Sequence, residues 1–272
     1  MKRRIKAMTI FFHEWKMNRR STITWSLSLA AVIILFMSLF PSISRDADTF
    51  KQVLENYPEA VRKAIGVSLN SITSLLGFYA YVFTYVVLCG SIQAINLGLS
   101  LLSKESRDKT ADFLLTKPVT RGQIITAKLS AALASLMLSN LIFIATAWLS
   151  IKVVTDGVFE AKPFLLISLS AFLVECLFLA LGLVVSVCVR KIKTVLPLSL
   201  GIVFGLFIVN MFGSVIGEKA VRYLTPFQYY SSDYIIKHQS YEVRFIIIEI
   251  IIISVAVAIS YLLYTKKDIH SV

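Results

Sequence analysis

Six long apolar runs, at about 23–40, 72–102, 124–151, 164–189, 195–216 and 245–264, divide this chain. A helix that crosses a hydrocarbon core of about 30 Å needs about 20 mainly apolar residues. Inside lipid, backbone amides and carbonyls must be satisfied within the segment, so each run predicts a helix. A transmembrane β-barrel would alternate apolar and polar residues over strands of about ten; these runs are continuous. The connecting segments are too short to hold a soluble domain. Residues 1–272 therefore read as a single all-α integral membrane domain with six transmembrane helices. Charged residues make up 16% of the chain, well below the roughly 25% of soluble proteins. The first run ends at Phe40-Pro41 without a small-x-small cleavage pattern, so it reads as a retained helix rather than a signal peptide.

Six spans place both termini on one side. That side collects 18 of the 28 Lys and Arg residues, in the N-terminal segment, 103–128, 190–193 and the C-terminal tail. The other side holds the remaining 10, spread over longer loops. The positive-inside rule then predicts a multi-pass protein of the cytoplasmic (inner) membrane with both termini in the cytoplasm. The net charge of +12 follows from this bias and from attraction to anionic lipid. It needs no nucleic-acid partner.

Along the chain, Ile5, Met8, Phe12 and Trp15 recur at helical spacing within a basic segment. This predicts an amphipathic helix over 4–20 lying in the headgroup layer, separate from the first span. The 41–71 loop predicts a short helix around "YPEAVRKAIG". The run 72–102 would make a helix of about 46 Å, longer than the hydrocarbon core. The fourth and fifth spans are joined only by "RKIKT", which predicts a tight antiparallel pair. The Tyr-rich segment 217–244 predicts short helices resting at the opposite interface.

No G-x-x-x-x-G-K-[ST] phosphate loop is present, so the chain is expected to bind no nucleotide through that motif and no cofactor of its own. No H-E-x-x-H or G-x-S-x-G is present either, and the three His fall outside the spans. No metal site is expected. Cys89, Cys176 and Cys188 lie in spans without C-x-x-C spacing and read as packing residues. Two acids interrupt the apolar runs. Glu249 sits one turn into the sixth span, within reach of headgroups or loop groups. Glu175, in the middle of the fourth, is either a protonated packing residue or part of a substrate or ion path. With Gln93, Asn96, Asn140 and Asn210 it makes up the candidate translocation path.

The most informative loop is "KESRDKTADFLLTKPVTRGQIITAK", 104–128. Phe113, Leu114 and Leu115 form an apolar knot on a short amphipathic helix, which Pro118 ends. Thr120 and Gln123 then form a capping box that starts the third span near Arg121. Lys104-Glu105, Thr110-x-x-Phe-Leu-Leu-Thr, Pro118-Val-x-Arg121 and Lys128 resemble the signature of type-2 ATP-binding-cassette (ABC) transporter permeases of the six-span bacterial exporter type. Asp112 stands where that family usually has Glu, and Thr116 and Thr120 where it has Ser. The basic start, "YPEAVRKAIG" and "LTPFQYY" extend the resemblance along the chain.

The resemblance implies a non-catalytic permease subunit of an exporter. ATP and Mg would be bound by two cytoplasmic ABC ATPase subunits, and a second permease chain, identical or homologous, would complete the complex. Met8, Phe12 and Trp15 would lie on an elbow helix. A coupling helix between spans two and three would dock into the ATPase through Glu105, Asp108, Asp112, Phe113, Leu114, Leu115, Pro118 and Arg121. Two alternatives are an intramembrane enzyme or its accessory subunit, and an ion-coupled secondary transporter using Glu175.

Overall fold

The computed structural model describes residues 2–69, 71–107, 120–155, 159–189, 192, 194–217 and 220–266, the side chains of 2–7 and 104–107 excepted. Among the described residues there is no strand. The helices are α1 (Lys2–Arg45), α2 (Ala47–Glu55), α3 (Glu59–Ala64), α4 (Leu75–Arg107), α5 (Arg121–Val154), α6 (Ala161–Cys188), α7 (Val195–Ile216), α8 (Ser232–His238) and α9 (Val243–Lys266). Six of them, α1, α4, α5, α6, α7 and α9, are long and apolar enough to cross a membrane. The chain is an all-α membrane protein. The end at which α1 begins and α9 ends is called the basic end below.

The first helix corrects the expectation of two elements. The amphipathic segment and the first span are one helix, with no break near residue 20, and it continues through Pro41 to Arg45. Proline removes one helical hydrogen bond, but the turn around Pro41 keeps its packing, because Phe40 remains buried. Thr22, Ser26, Leu29, Ile33, Met37 and Phe40 form the buried stripe of α1. Their spacing of three and four residues is that of one helix face. That stripe lies along α5, whose facing side is built from small residues such as Ala127, Ala131, Ala132, Ser135 and Ser139.

The second close pair is α4 with α6. The two run parallel, and glycine sets their approach. A Cβ on Gly98 would lie 2.4 Å from the Leu179 carbonyl oxygen, and one on Gly182 would lie 2.7 Å from that of Ile95. Small residues that let backbones touch are the usual means of helix association in lipid, where water supplies no driving force. Near the opposite end Tyr79 and Ser168 share a hydrogen bond of 2.7 Å, and Tyr79 packs on Phe164. In their most apolar stretches α4 and α6 are each 61% buried, whereas α7 and α9 are only 17% buried.

The fifth span departs from expectation. Rather than forming a tight pair with α6, α7 packs on α4 and α3. The reason lies in the segment after α7. Gly217 ends that helix at φ +72°, a left-handed cap that favours glycine. Two short 3-10 turns, Val221–Tyr223 and Pro226–Gln228, then descend into the bundle instead of resting at its surface. Thr225 is fully buried and donates to the Leu206 carbonyl, about 15 Å below the end of α7. Phe227 wedges between Phe178 of α6 and Phe207 of α7, with ring centroids 5.2 and 5.4 Å away. Non-helical backbone is tolerated at that depth because it is covered by protein.

This re-entrant cap is locked by charge and aromatic contacts. Glu242 accepts from Arg222 at 2.5 Å and also from Arg244. Both guanidinium groups lie over the ring of Phe245, which stacks on Tyr229. Burial would raise the Glu242 carboxyl, but the hydrogen bonds and charges of the two arginines outweigh it and hold the group below its usual range. Tyr241 donates to the Leu166 carbonyl at 2.6 Å. Burial pushes its hydroxyl up to about 12, so it stays a donor.

Candidate functional site

The functional candidates fall at three levels, beginning at the basic end. Residues 108–119, and with them Asp108, Asp112, Phe113, Leu114, Leu115 and Pro118, lie outside the described residues. Glu105 stands in the last turns of α4. The frame that holds this loop is visible on both sides. Thr120 accepts from the Gln123 amide, and the Gln123 side chain accepts from the Thr120 amide, the reciprocal cap that the sequence predicts. Arg121 is turned inward: its guanidinium donates to the Tyr264 carbonyl at 3.2 Å and the Thr265 carbonyl at 3.5 Å. A cation at a helix C-terminus meets the negative end of its dipole. Arg121 therefore joins the start of α5 to the end of α9.

Lys128 is the residue that sequence reasoning undervalued. Counted there with a basic loop, it lies two turns inside α5 and is 2% exposed. Its ammonium donates to the Leu101 carbonyl at 2.7 Å and sits 3.4 Å from the Glu14 carboxylate. A buried ammonium is tolerated only when paired, so one side chain binds the ends of α1, α4 and α5 together. The available signal was the Arg-x-x-Ile-x-x-x-Lys pattern, spaced by three and four residues, which places Lys128 on the same side of the helix as Ile124 and Ile125, both buried. On α1 the polar Glu14 faces the bundle. Met8, Phe12 and Trp15 face outward, with 59%, 52% and 38% of their surface exposed. The apolar stripe is thus presented to the surroundings, as an interfacial role requires, although it belongs to the span helix.

The second level is a buried polar layer in the middle of the bundle. It draws together three of the five path candidates. Asn140 donates to Glu175 at 2.5 Å, and the adjacent Ser139 accepts from Gln93 at 2.9 Å and contacts Ser26 of α1 at 3.2 Å. Glu175 lies in a notch made by Gly90, where a Cβ would come within 2.2 Å of its carboxylate. The Gln93 carbonyl oxygen and the Ser91 hydroxyl are buried with no hydrogen-bond partner among the described residues. Each such group costs free energy unless something reaches it. Asn96, one turn along α4 from Gln93, is half-buried and has no side-chain hydrogen bond to this layer among the described residues.

The third level lies toward the opposite end. A cavity of about 460 Å³ opens between α4, α6, α7 and the re-entrant cap, and Asn210 lines it. Val87 and Val174 form its floor, one residue from Glu175 and one turn from Ser91. Glu249 is 3% exposed and accepts a hydrogen bond from Tyr230 of the cap. It thus meets a loop group, as its place in the sequence predicts. The three cysteines are free. No cluster of three or more metal-binding side chains occurs among the described residues.

A family model described as "ABC-2 family transporter protein" matches residues 8–269. No curated protein matches the chain.

Proposed function

Because the chain belongs to the ABC-2 transporter family and is the membrane subunit of an ABC transporter, we propose that it works as the permease of an ATP-driven exporter. On this reading a separate cytoplasmic ATPase hydrolyses ATP and two copies of it act on each complex. The basic end faces the cytoplasm, and the membrane is the inner one. The reading rests on one observation above all. The loop that carries the apolar knot springs from a frame tied to four helices at once, through Lys128 and Arg121. A push on that loop has α1, α4, α5 and α9 to act upon.

A second permease chain, identical or homologous, completes the path. Support comes from α7. Gly201 and Gly205 form a G-x-x-x-G pair, and a Cβ on either would meet no described residue within 4 Å. In α6 the corresponding small surface is filled by α4; in α7 it faces outward, open to another helix.

The test is association. The tagged chain, purified from its own membranes, is expected to bring with it a protein bearing the G-x-x-x-x-G-K-[ST] motif. A chain that purifies without such a protein and moves substrate on an ion gradient alone overturns the reading. In that case a flux abolished by Glu175→Gln would favour the ion-coupled alternative.

A further inference from the structure

We propose that Arg62, on α3, holds the headgroup phosphate of a membrane phospholipid at the end opposite the basic end. Such a site stands apart from the transport reading and does not require that an ATPase drive this chain. It rests on a guanidinium that protein half encloses without supplying a counter-charge.

The Nε and Nη1 atoms of Arg62 are closed off from the surroundings and have no hydrogen-bond partner among the described residues. Nη2, which also makes no hydrogen bond among them, is not closed off, and the residue as a whole is half-buried. Glu59, the acid of the same helix, is taken by Lys63 at 2.6 Å. That pairing lowers the Glu59 carboxyl, and Arg62 adds only the weakest of the influences on it. Enclosing a charge without a partner costs free energy. A guanidinium carries five donors, in a planar array that matches the oxygens of a carboxylate or phosphate. The chemistry that would satisfy Arg62 is therefore that of an oxyanion, met through its open side.

The surroundings choose the kind of oxyanion. Helix α3 packs on α7, and the Tyr85 hydroxyl of α4 donates to the Ile65 carbonyl just past its end, at 3.3 Å. Tyr85 lies about 15 Å along α4 from Leu75. So α3 is sunk beside the spans rather than standing off above them. From there an arginine can keep its stem in apolar surroundings and extend its head toward lipid headgroups. Val53, Tyr57 and Val61, on α2, α3 and the link between them, are exposed, and so are Phe212 and Ile216 on α7. Tyrosine is favoured where lipid meets water, and the aliphatic and aromatic surface suits acyl chains. A water-soluble anion would meet only the guanidinium. A phospholipid meets the guanidinium with its phosphate and the apolar surface with its tails.

The test uses the full chain, purified in detergent and stripped of lipid, with the thermal midpoint as readout. Dioleoyl-phosphatidylglycerol and dioleoylglycerol share their tails and differ in the phosphate headgroup. In the parent, the phospholipid is expected to raise the midpoint at about tenfold lower concentration, the discrimination of one hydrogen bond to a charged group. Arg62→Gln should bring the two lipids to the same concentration, and Arg62→Lys should keep several-fold of the preference. Lys237→Gln removes an exposed cation from the same end and should keep all of it. Without lipid, Arg62→Gln should be at least as stable as the parent, because no side-chain hydrogen bond is lost. A clear loss of lipid-free stability would mean that Arg62 is held within the chain, and overturns the proposal. So does equal action of the two lipids on the parent, or a preference that Lys237→Gln removes as fully. Inorganic phosphate that stabilises the parent as well as the phospholipid does would assign the site to a free anion instead. Arg62→Gln that separates two copies while the lipid preference persists would assign the guanidinium to an acid of the second copy; either result overturns the lipid site.

Discussion

The α4–α6 seam and the free face of α7 use the same residue to opposite ends. In the seam, Gly98 and Gly182 are pressed against the partner helix so closely that neither could carry a Cβ without displacing backbone. On α7, Gly201 and Gly205 have open space above them. The first pair is a finished contact and the second an unfinished one. Where helix association in lipid depends on fit rather than on water, an unfilled glycine groove on one span and a filled one on another divide the molecule. One part holds the chain together, and the other is left for a neighbour.

The largest expected effect breaks the filled side. Gly98→Leu must move α4 away from Leu179, and overpacking of this kind costs about 3 kcal/mol or more. The variant should lose its monodisperse peak in detergent. Gly90→Ala is milder, because the atom it meets is the end of the Glu175 side chain. About 1 kcal/mol is expected, read as a lower thermal midpoint, together with faster hydrogen exchange around Asn140. Gly205→Leu should leave the single chain as stable as the parent, within about 0.5 kcal/mol. It should reduce cross-linking between two copies at α7. A large loss of stability from Gly205→Leu would erase the distinction between the two faces.

The smallest effect is one of pH and sets the seam against the cap. Glu242 has a carboxyl depressed by Arg222 and Arg244. A depressed carboxyl contributes stability that is present above its unfolded value, roughly 4.3. That contribution is lost as pH falls through the lower folded value. Proteolysis of the 220–242 segment should therefore rise below about pH 4 in the parent. It should be less pH-sensitive in Glu242→Gln, whose cap is already loosened.

Much of this architecture was legible in the sequence, because hydropathy over span-length windows reports directly on what lipid tolerates. The start of α5 was legible as well: Thr120 and Gln123 announce it by local chemistry alone. Three features were not. The start of α1 is held against α5 by Glu14 meeting Lys128, a contact between residues far apart in the chain. The separation of α6 from α7 depends on Phe227 arriving from a loop that composition places at the surface. The gathering of Gln93, Asn140 and Glu175, with Asn96 left out and Asn210 sent to the cavity, depends on how three helices are rotated against one another. Periodicity gives each helix a buried face but does not say which polar groups on different helices will meet. The G-x-x-x-G of α7 was not singled out in the sequence, and among the described residues nothing fills its groove.

Under the proposed function, the loop between α4 and α5 is where an ATPase drives this chain. The most direct measurement is ATP hydrolysis by the cytoplasmic ATPase co-reconstituted in liposomes with the parent chain or with the double variant Leu114→Asp/Leu115→Asp. The account predicts that the parent changes the hydrolysis rate and supports transport, and that the variant inserts and folds as the parent does but loses both. Unchanged hydrolysis and transport in the variant would contradict it.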